Sequence, residues 1–314
     1  MTFIGNRYEL LNCDGQLELN KIYKARDVFD NKKVLIKVVE HNEYMESNFI
    51  TNLIDETTMI NNIHSKYISK TIDVGVHCTE LTTLYYMVSE YYNGITLVNM
   101  INGNYLHLEA IINIATQIVK ALEILHENNV YHGNLNPTNI LVDKDYNIRL
   151  LNFQTTKANN GINIRAGGEF RYLCPHQLCI NFTDLDSDLF SLGIILFESI
   201  FKKLPFEEGK NEEEMLKNID KGINWNQNIA INGNDKFINI IKKLLSRNEK
   251  YEYLQDILID LSNVMYEKAD IIDTEEINED IEETIERPKK IKKRKILLAV
   301  SMISLVFITI LSIL

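Results

Sequence analysis

The residues of this 314-residue chain that can do chemistry lie in four places. Lys37 closes the β-branched run Val34-Leu35-Ile36, and Glu56 sits on the polar stretch Asn48 to Ile63, where apolar residues recur at helical spacing. The segment Tyr131-His132-Gly133-Asn134-Leu135-Asn136-Pro137-Thr138-Asn139 gathers one imidazole and three amides, and Asn152-Phe153-Gln154 follows it. A Lys and a Glu on neighbouring elements can serve a ligand or merely order their surroundings, and the sequence leaves both readings open. An amide cannot accept a proton at neutral pH and carries no negative charge. Asn134 is therefore a poor general base, and Asn152 a poor ligand for a hard cation. Cys13, Cys78, Cys174 and Cys179 are scattered, with no C-x-x-C pair and no His at ligand spacing. They read as reduced thiols rather than a disulfide framework or a zinc site.

The elements that must hold these residues change character along the chain. Tyr8 to Asn12, Lys21 to Arg26, Val34 to Val39, Lys70 to His77 and Thr83 to Ser89 are short, β-branched and aromatic, and predict strands. From Leu108 the period is helical: Ile111, Ile114, Ala115, Ile118, Val119, Leu122 and Leu125 mark one buried face. Further helices are predicted over Asp188 to Phe201, with Pro205 beyond the end, and over Asp235 to Leu245 and Tyr253 to Met265. A small sheet-rich lobe thus precedes a larger helical one.

A formal net charge of -11 argues against a general nucleic-acid binder. The N-terminus has no charged n-region or long apolar h-region, and Thr2 excludes a myristoylation signal. Glu267 to Glu286 is acidic, Pro288 breaks the chain, and Lys289, Lys290, Lys292, Lys293, Arg294 and Lys295 form a basic block. Ile296 to Leu314 holds no charge, and as a helix it would span roughly 28 Å. The expectation is a C-terminal transmembrane helix, with the preceding basic block keeping the rest of the chain in the cytoplasm and adding attraction to anionic lipid.

In order and spacing the central segments resemble the protein kinases, bacterial serine/threonine kinases in particular. Arg7-Tyr8-Glu9-Leu10-Leu11 looks like their opening strand, and Val34-Leu35-Ile36-Lys37 like the V-A-I-K strand. Tyr85 to Leu97 looks like the hinge between lobes, with Glu90 and Tyr92 at nucleotide-facing positions. Tyr131 to Leu141 stands where H-R-D-L-K-P-x-N belongs, Asn152-Phe153-Gln154 replaces D-F-G, and Cys174-Pro175-His176 replaces A-P-E. The match covers about Arg7 to Met265.

That resemblance implies an α+β, two-lobed protein-kinase fold at 7–265, with an N-lobe at about 7–89 and a C-lobe at about 93–265. An acidic linker and basic block at 266–295 and the transmembrane helix at 296–314 complete the expected organisation. Implied nucleotide-binding residues are Gly15, Lys37, Glu56, Glu90, Tyr92 and Asn139, with Glu56 the expected partner of Lys37. Implied metal positions are Asn139 and Asn152. His132, Phe153 and Asp188 are implied to be architectural.

The departures fall on the chemistry. Asn134 holds the catalytic base position, Asn136 the position of the lysine that meets the γ-phosphate, and Asn152 that of the metal-binding aspartate. Only Gly15 remains of the glycine-rich loop, with Leu17 and Asn20 where close approach to phosphate needs small residues. Gly133 replaces the arginine that meets an activation-loop phosphate. His176 and Lys250 replace a Glu–Arg pair. The expected function is a membrane-tethered cytosolic pseudokinase at a bacterial plasma membrane, a binding or scaffolding module with membrane lipid and unassigned proteins as partners. ATP remains admissible as ligand, and Asn152 argues against Mg²⁺. The alternative is a weak or atypical ATP-dependent Ser/Thr kinase.

Overall fold

The computed structural model describes residues 2–11, 17–18, 21–80, 82–151, 154–164, 170–223, 225 and 235–266. One compact unit runs from Met1 to Met265. Its first part is a six-stranded antiparallel sheet in the order β1-β2-β3-β4-β6-β5. The strands are β1 (Phe3–Ile4), β2 (Tyr8–Leu10), β3 (Ile22–Asp27), β4 (Lys33–Glu40), β5 (Thr71–Cys78) and β6 (Thr83–Glu90). β4 is central, and Val34 to Val39 are buried without alternation because both of its faces are covered. Helix α1 (Phe49–Ile60) lies between β4 and β5 and buries Phe49, Leu53, Thr57 and Ile60. β1 was not legible in the sequence: two residues carry no period, and only pairing with β2 defines them.

The helical part begins with β7 (Ile95–Thr96) and α2 (Leu97–Asn102). In α3 (Leu108–Glu127) every residue assigned to the buried face is buried. A 3-10 turn at Pro137–Asn139 leads into the hairpin β8 (Ile140–Val142) and β9 (Ile148–Leu150), which pairs with β7. Then come α4 (Gln154–Ala158), α5 (Pro175–Ile180), α6 (Leu185–Phe201), α7 (Glu212–Lys221), α8 (Asp235–Leu244) and α9 over residues 254–266. α6 is buried on nearly every face, so its period carries little contrast. It starts three residues before the expected Asp188. Asp184 caps it by accepting from the Ser187 backbone N–H at 2.9 Å, while the Asp184 backbone N–H donates to Ser187 Oγ at 3.1 Å.

The expectation of a C-terminal transmembrane helix is corrected. Among the described residues no helix is long and apolar enough to cross a membrane. The longest, α3, carries Glu109, Lys120, Glu123 and Glu127, and α6 opens with Asp186 and Asp188 and packs into the domain core. Residues 296–314, to which the span was assigned, lie outside the described residues, as do the basic block and residues 267–288. The single-pass anchor, its membrane-lipid partner and the membrane localisation therefore have no helix among the described residues to rest on. The two-lobed architecture, sheet-rich and then helical, stands without them.

The buried imidazole of His132 and the half-buried one of His126 make this fold acid-sensitive. Burial holds His132 down to about 3. It holds His126 down to about 4, outweighing the attraction of Asp184. An unfolded histidine titrates near 6.5, so below that pH the unfolded chain binds more protons and stability falls. Asp188, pushed up to about 7 by burial, contributes the opposite slope. His126→Gln is therefore expected to lose less Tm between pH 7 and pH 5 than the parent. Equal losses in a thermal melt at the two pH values would remove His126 from this account.

Candidate functional site

The cleft between the lobes is built by β4, the hinge after β6, and the loop from Val130 to Asn139. Lys37 is 5% exposed and Asn139 is fully buried, and the ammonium of Lys37 donates to Asn139 Oδ1 at 2.6 Å. A buried ammonium needs a polar partner, and here the partner is the side chain expected to hold metal. Asn139 Nδ2 donates in turn to the carbonyl of Asn134 at 2.7 Å. Glu56 is engaged elsewhere: its Oε2 lies 3.4 Å from the ammonium of Lys157 on α4.

The amide positions of the loop bond to one another. Asn136 Nδ2 donates to Asn134 O and Oδ1 at 3.1 and 3.0 Å, and its Oδ1 accepts from Thr138 N and Oγ1 at 2.9 and 2.6 Å. Asn136 is thus a buried cap of the 3-10 turn rather than a group reaching out of the loop. Asp188 Oδ2 and Oδ1 accept from the backbone N–H groups of His132 and Gly133 at 2.7 and 2.8 Å, fastening the loop to α6. His132 is fully buried and held neutral, which suits packing and excludes solvent-linked base chemistry.

At the hinge, Leu35 of β4, Leu141 of β8 and Leu151 form one buried cluster, with Ile22, Tyr91 and Tyr92 packed on it. It bridges the two lobes with side chains in direct contact. The Tyr92 hydroxyl donates to Asp143 Oδ2 at 2.8 Å, and the Arg149 guanidinium lies 4.6 Å from its ring centre. Glu90 ends β6, its backbone N–H bonded to Lys70 O at 3.1 Å. Leu17 packs against the N-lobe core around Tyr8 and Tyr23. Gly15, Asn152 and Phe153 lie outside the described residues.

Segment 154–164 fills the space behind Lys37. Ala158 and Ile164 join a buried cluster with Val39, Met45, Phe49, Leu53 and Met87. Side-chain amides hold its backbone, Asn52 Nδ2 donating to Ala158 O at 2.9 Å and Asn42 Nδ2 to Ile164 O at 2.8 Å, and its own Asn163 Nδ2 donates to Gly133 O at 2.6 Å. Asn159 is fully buried. It accepts from Glu46 N at 2.9 Å and donates to Tyr44 O at 2.8 Å and Ile162 O at 3.1 Å. Gly133 has φ +69°, and a Cβ there would fall 2.4 Å from Thr156 Cγ2. The position expected to carry an arginine is therefore pressed against α4 itself.

The structure brings Lys37, Asn134, Asn136 and Asn139 into one hydrogen-bonded group, with Asp188 bound to the backbone of His132 and Gly133 in the same loop. Sequence reasoning missed the partner of Glu56, the amides at 42, 52, 159 and 163, and Leu35 as a cleft-filling residue. The Leu35 signal was available, because a leucine in the V-L-I-K run is far bulkier than alanine. The amides gave none, since a buried Asn and a solvated loop Asn look alike in a chain rich in asparagine.

Gly133→Ala is expected to lower stability by at least about 1–2 kcal/mol through the left-handed backbone alone, and to raise proteolytic cleavage within 154–164. Adding Thr156→Ala is expected to restore part of the protection. Unchanged protease resistance in Gly133→Ala would contradict the contact.

The family profile described as the protein kinase domain matches residues 11–252. The chain is 30% identical over 272 residues to a protein of Clostridium perfringens named as a probable serine/threonine-protein kinase, covering 83% of this chain and 38% of that protein. It is 28% identical over 269 residues to the serine/threonine-protein kinase PrkC of Bacillus subtilis, covering 82% of this chain and 40% of PrkC. The chain thus spans about two fifths of the length of these curated relatives. At the level of the superfamily, this relationship admits ATP as a ligand.

Proposed function

This chain belongs to the protein kinase domain family, and we propose that it uses that fold as a binding and regulatory module, a pseudokinase, rather than as a phosphotransferase. The observation that carries the proposal is the bond from Lys37 to Asn139. The cation expected to grip phosphate and the amide expected to hold metal are committed to each other. Mg·ATP would have to break that bond and re-solvate or re-pair both groups.

Two further features support it. A flat ring entering beside the hinge would have to part Leu35 from Leu141 and Leu151, opening apolar surface that is now buried. The loop offers Asn134 as base, and an amide takes no proton from a substrate hydroxyl, a loss of about 10²–10⁴-fold in rate by itself. These residues do not fit magnesium nucleotide chemistry. What the fold retains is a surface in which segment 154–164 is fastened by side-chain amides and by the Lys157–Glu56 ion pair, so its presentation to a partner needs no phosphate.

The alternative is a weak or atypical Ser/Thr kinase, and the relatives named as serine/threonine-protein kinases favour it. A phosphotransfer assay separates the two. The parent chain is expected to incorporate no more phosphate into itself or a generic protein substrate than Lys37→Met does. Its Tm is expected not to rise with ATP, with or without Mg²⁺. Leu35→Ala is expected to lower stability by about 2–5 kcal/mol while introducing an ATP-dependent rise in Tm. Turnover in the parent that Lys37→Met abolishes would make this an enzyme.

A further inference from the structure

On the far side of the helical lobe lies a cavity of about 490 Å³ that the kinase reading leaves unused. It is bounded by α5, the start of α6, α7, the end of α8 and the turn that follows, and opens to solvent beside Ile180, which is 71% exposed. Ile180, Leu189, Phe190, Leu216, Leu244 and Tyr251 give the wall its apolar part, and charged and polar residues make up most of the rest. A packed interior leaves voids no larger than a water molecule, whereas this volume falls within the roughly 300–1,000 Å³ of small-molecule sites.

The ionic inventory of the wall is unbalanced. Lys250 pairs with Asp186, and Arg247 pairs with Asp220. His176 is turned away from Lys250, with Nε2 at 3.0 Å from Ser187 Oγ and 3.2 Å from Asp184 Oδ1. That leaves Lys243. Its ammonium lies 3.9 Å from the centre of the Tyr251 ring, and among the described residues it has no carboxylate within 4 Å. A half-buried cation held on an aromatic face, at the edge of an apolar chamber, is arranged to meet one anionic group whose body fills the chamber.

We propose that this cavity is a binding site for a small amphiphile with one carboxylate, the carboxylate meeting Lys243 and the apolar body lying against Leu189, Phe190 and Leu216. A cationic amphiphile is disfavoured by Lys243, and an uncharged one gains burial alone. The proposal does not depend on whether the cleft binds nucleotide.

Two cysteines make the test direct. Cys179 is exposed and lines the cavity, while Cys78, also exposed, sits at the end of β5 in the other lobe. Alkylation of the full chain with iodoacetamide, read by peptide mass spectrometry, reports occupancy at Cys179 with Cys78 as internal reference. Sub-micellar decanoate is expected to slow labelling of Cys179 and leave Cys78 unchanged. Decanol is expected to protect at least about tenfold less well, the scale of one charge-assisted hydrogen bond, and decyltrimethylammonium less still. Lys243→Met, which keeps the apolar stem, is expected to weaken decanoate protection by a similar factor. Lys242→Met, on the neighbouring face over Trp225, is expected to have no effect. Equal protection by decanol and decanoate, no protection at Cys179, or an unaltered Lys243→Met would each overturn the proposal.

Discussion

The bond between Lys37 and Asn139 joins a strand of the small lobe to the loop of the large one, and much of the cleft follows from it. An ammonium at 5% exposure is held only if its environment supplies an oxygen. With Glu56 drawn to Lys157, that oxygen comes from the far lobe. The link brings β4 down onto the loop, and Leu35, two residues before Lys37, meets Leu141 and Leu151. Polar and apolar contacts then close the same space from its two ends.

Neutrality is the second theme. A protein that switches by phosphate needs cations waiting for it. Here carbonyls of 154–164 accept from the amides of Asn42, Asn52 and Asn159, and Asn163 within the segment donates to the carbonyl of Gly133. Gly133 adds its carbonyl, which also accepts from Gln177 Nε2 at 3.2 Å. Such bonds do not titrate between acid and base extremes and respond weakly to salt. Each leaves a buried backbone group unpaired if broken, which makes the arrangement stiff. The proposed role as a binding module follows from that stiffness.

What was legible in the sequence divides along physical lines. The long α3 was readable because burial of one face imposes a period that survives without neighbours, and α6 because its long apolar run is followed by Pro205. β4 was readable because a fully covered strand is a continuous apolar run. The five-residue α4, with two threonines, has little helical preference of its own and exists through its contacts with α1 and Gly133. α7 buries Met215, Asn218 and Ile219 and starts on an Asn211 cap, and a polar residue on its short buried face made its period faint. Within the site, residue types pointed to the loss of carboxylates at Asn134 and Asn152. The alternative partners were not readable, because Lys37–Asn139 and Lys157–Glu56 join positions about a hundred residues apart whose pairing only the fold decides.

The central claim is that Lys37 is committed to the protein's own oxygen rather than held ready for a phosphate. An acyl-phosphate derivative of ATP transfers its acyl group to a lysine amine lying beside bound phosphate, and the modified peptide is identified by mass spectrometry. Applied to the full chain with Mg²⁺, it is predicted to leave Lys37 unmodified above the level found in heat-unfolded protein, and excess ATP is predicted to change nothing. Efficient acylation of Lys37 that free ATP suppresses would contradict the account, because it would require a nucleotide phosphate where Asn139 now stands.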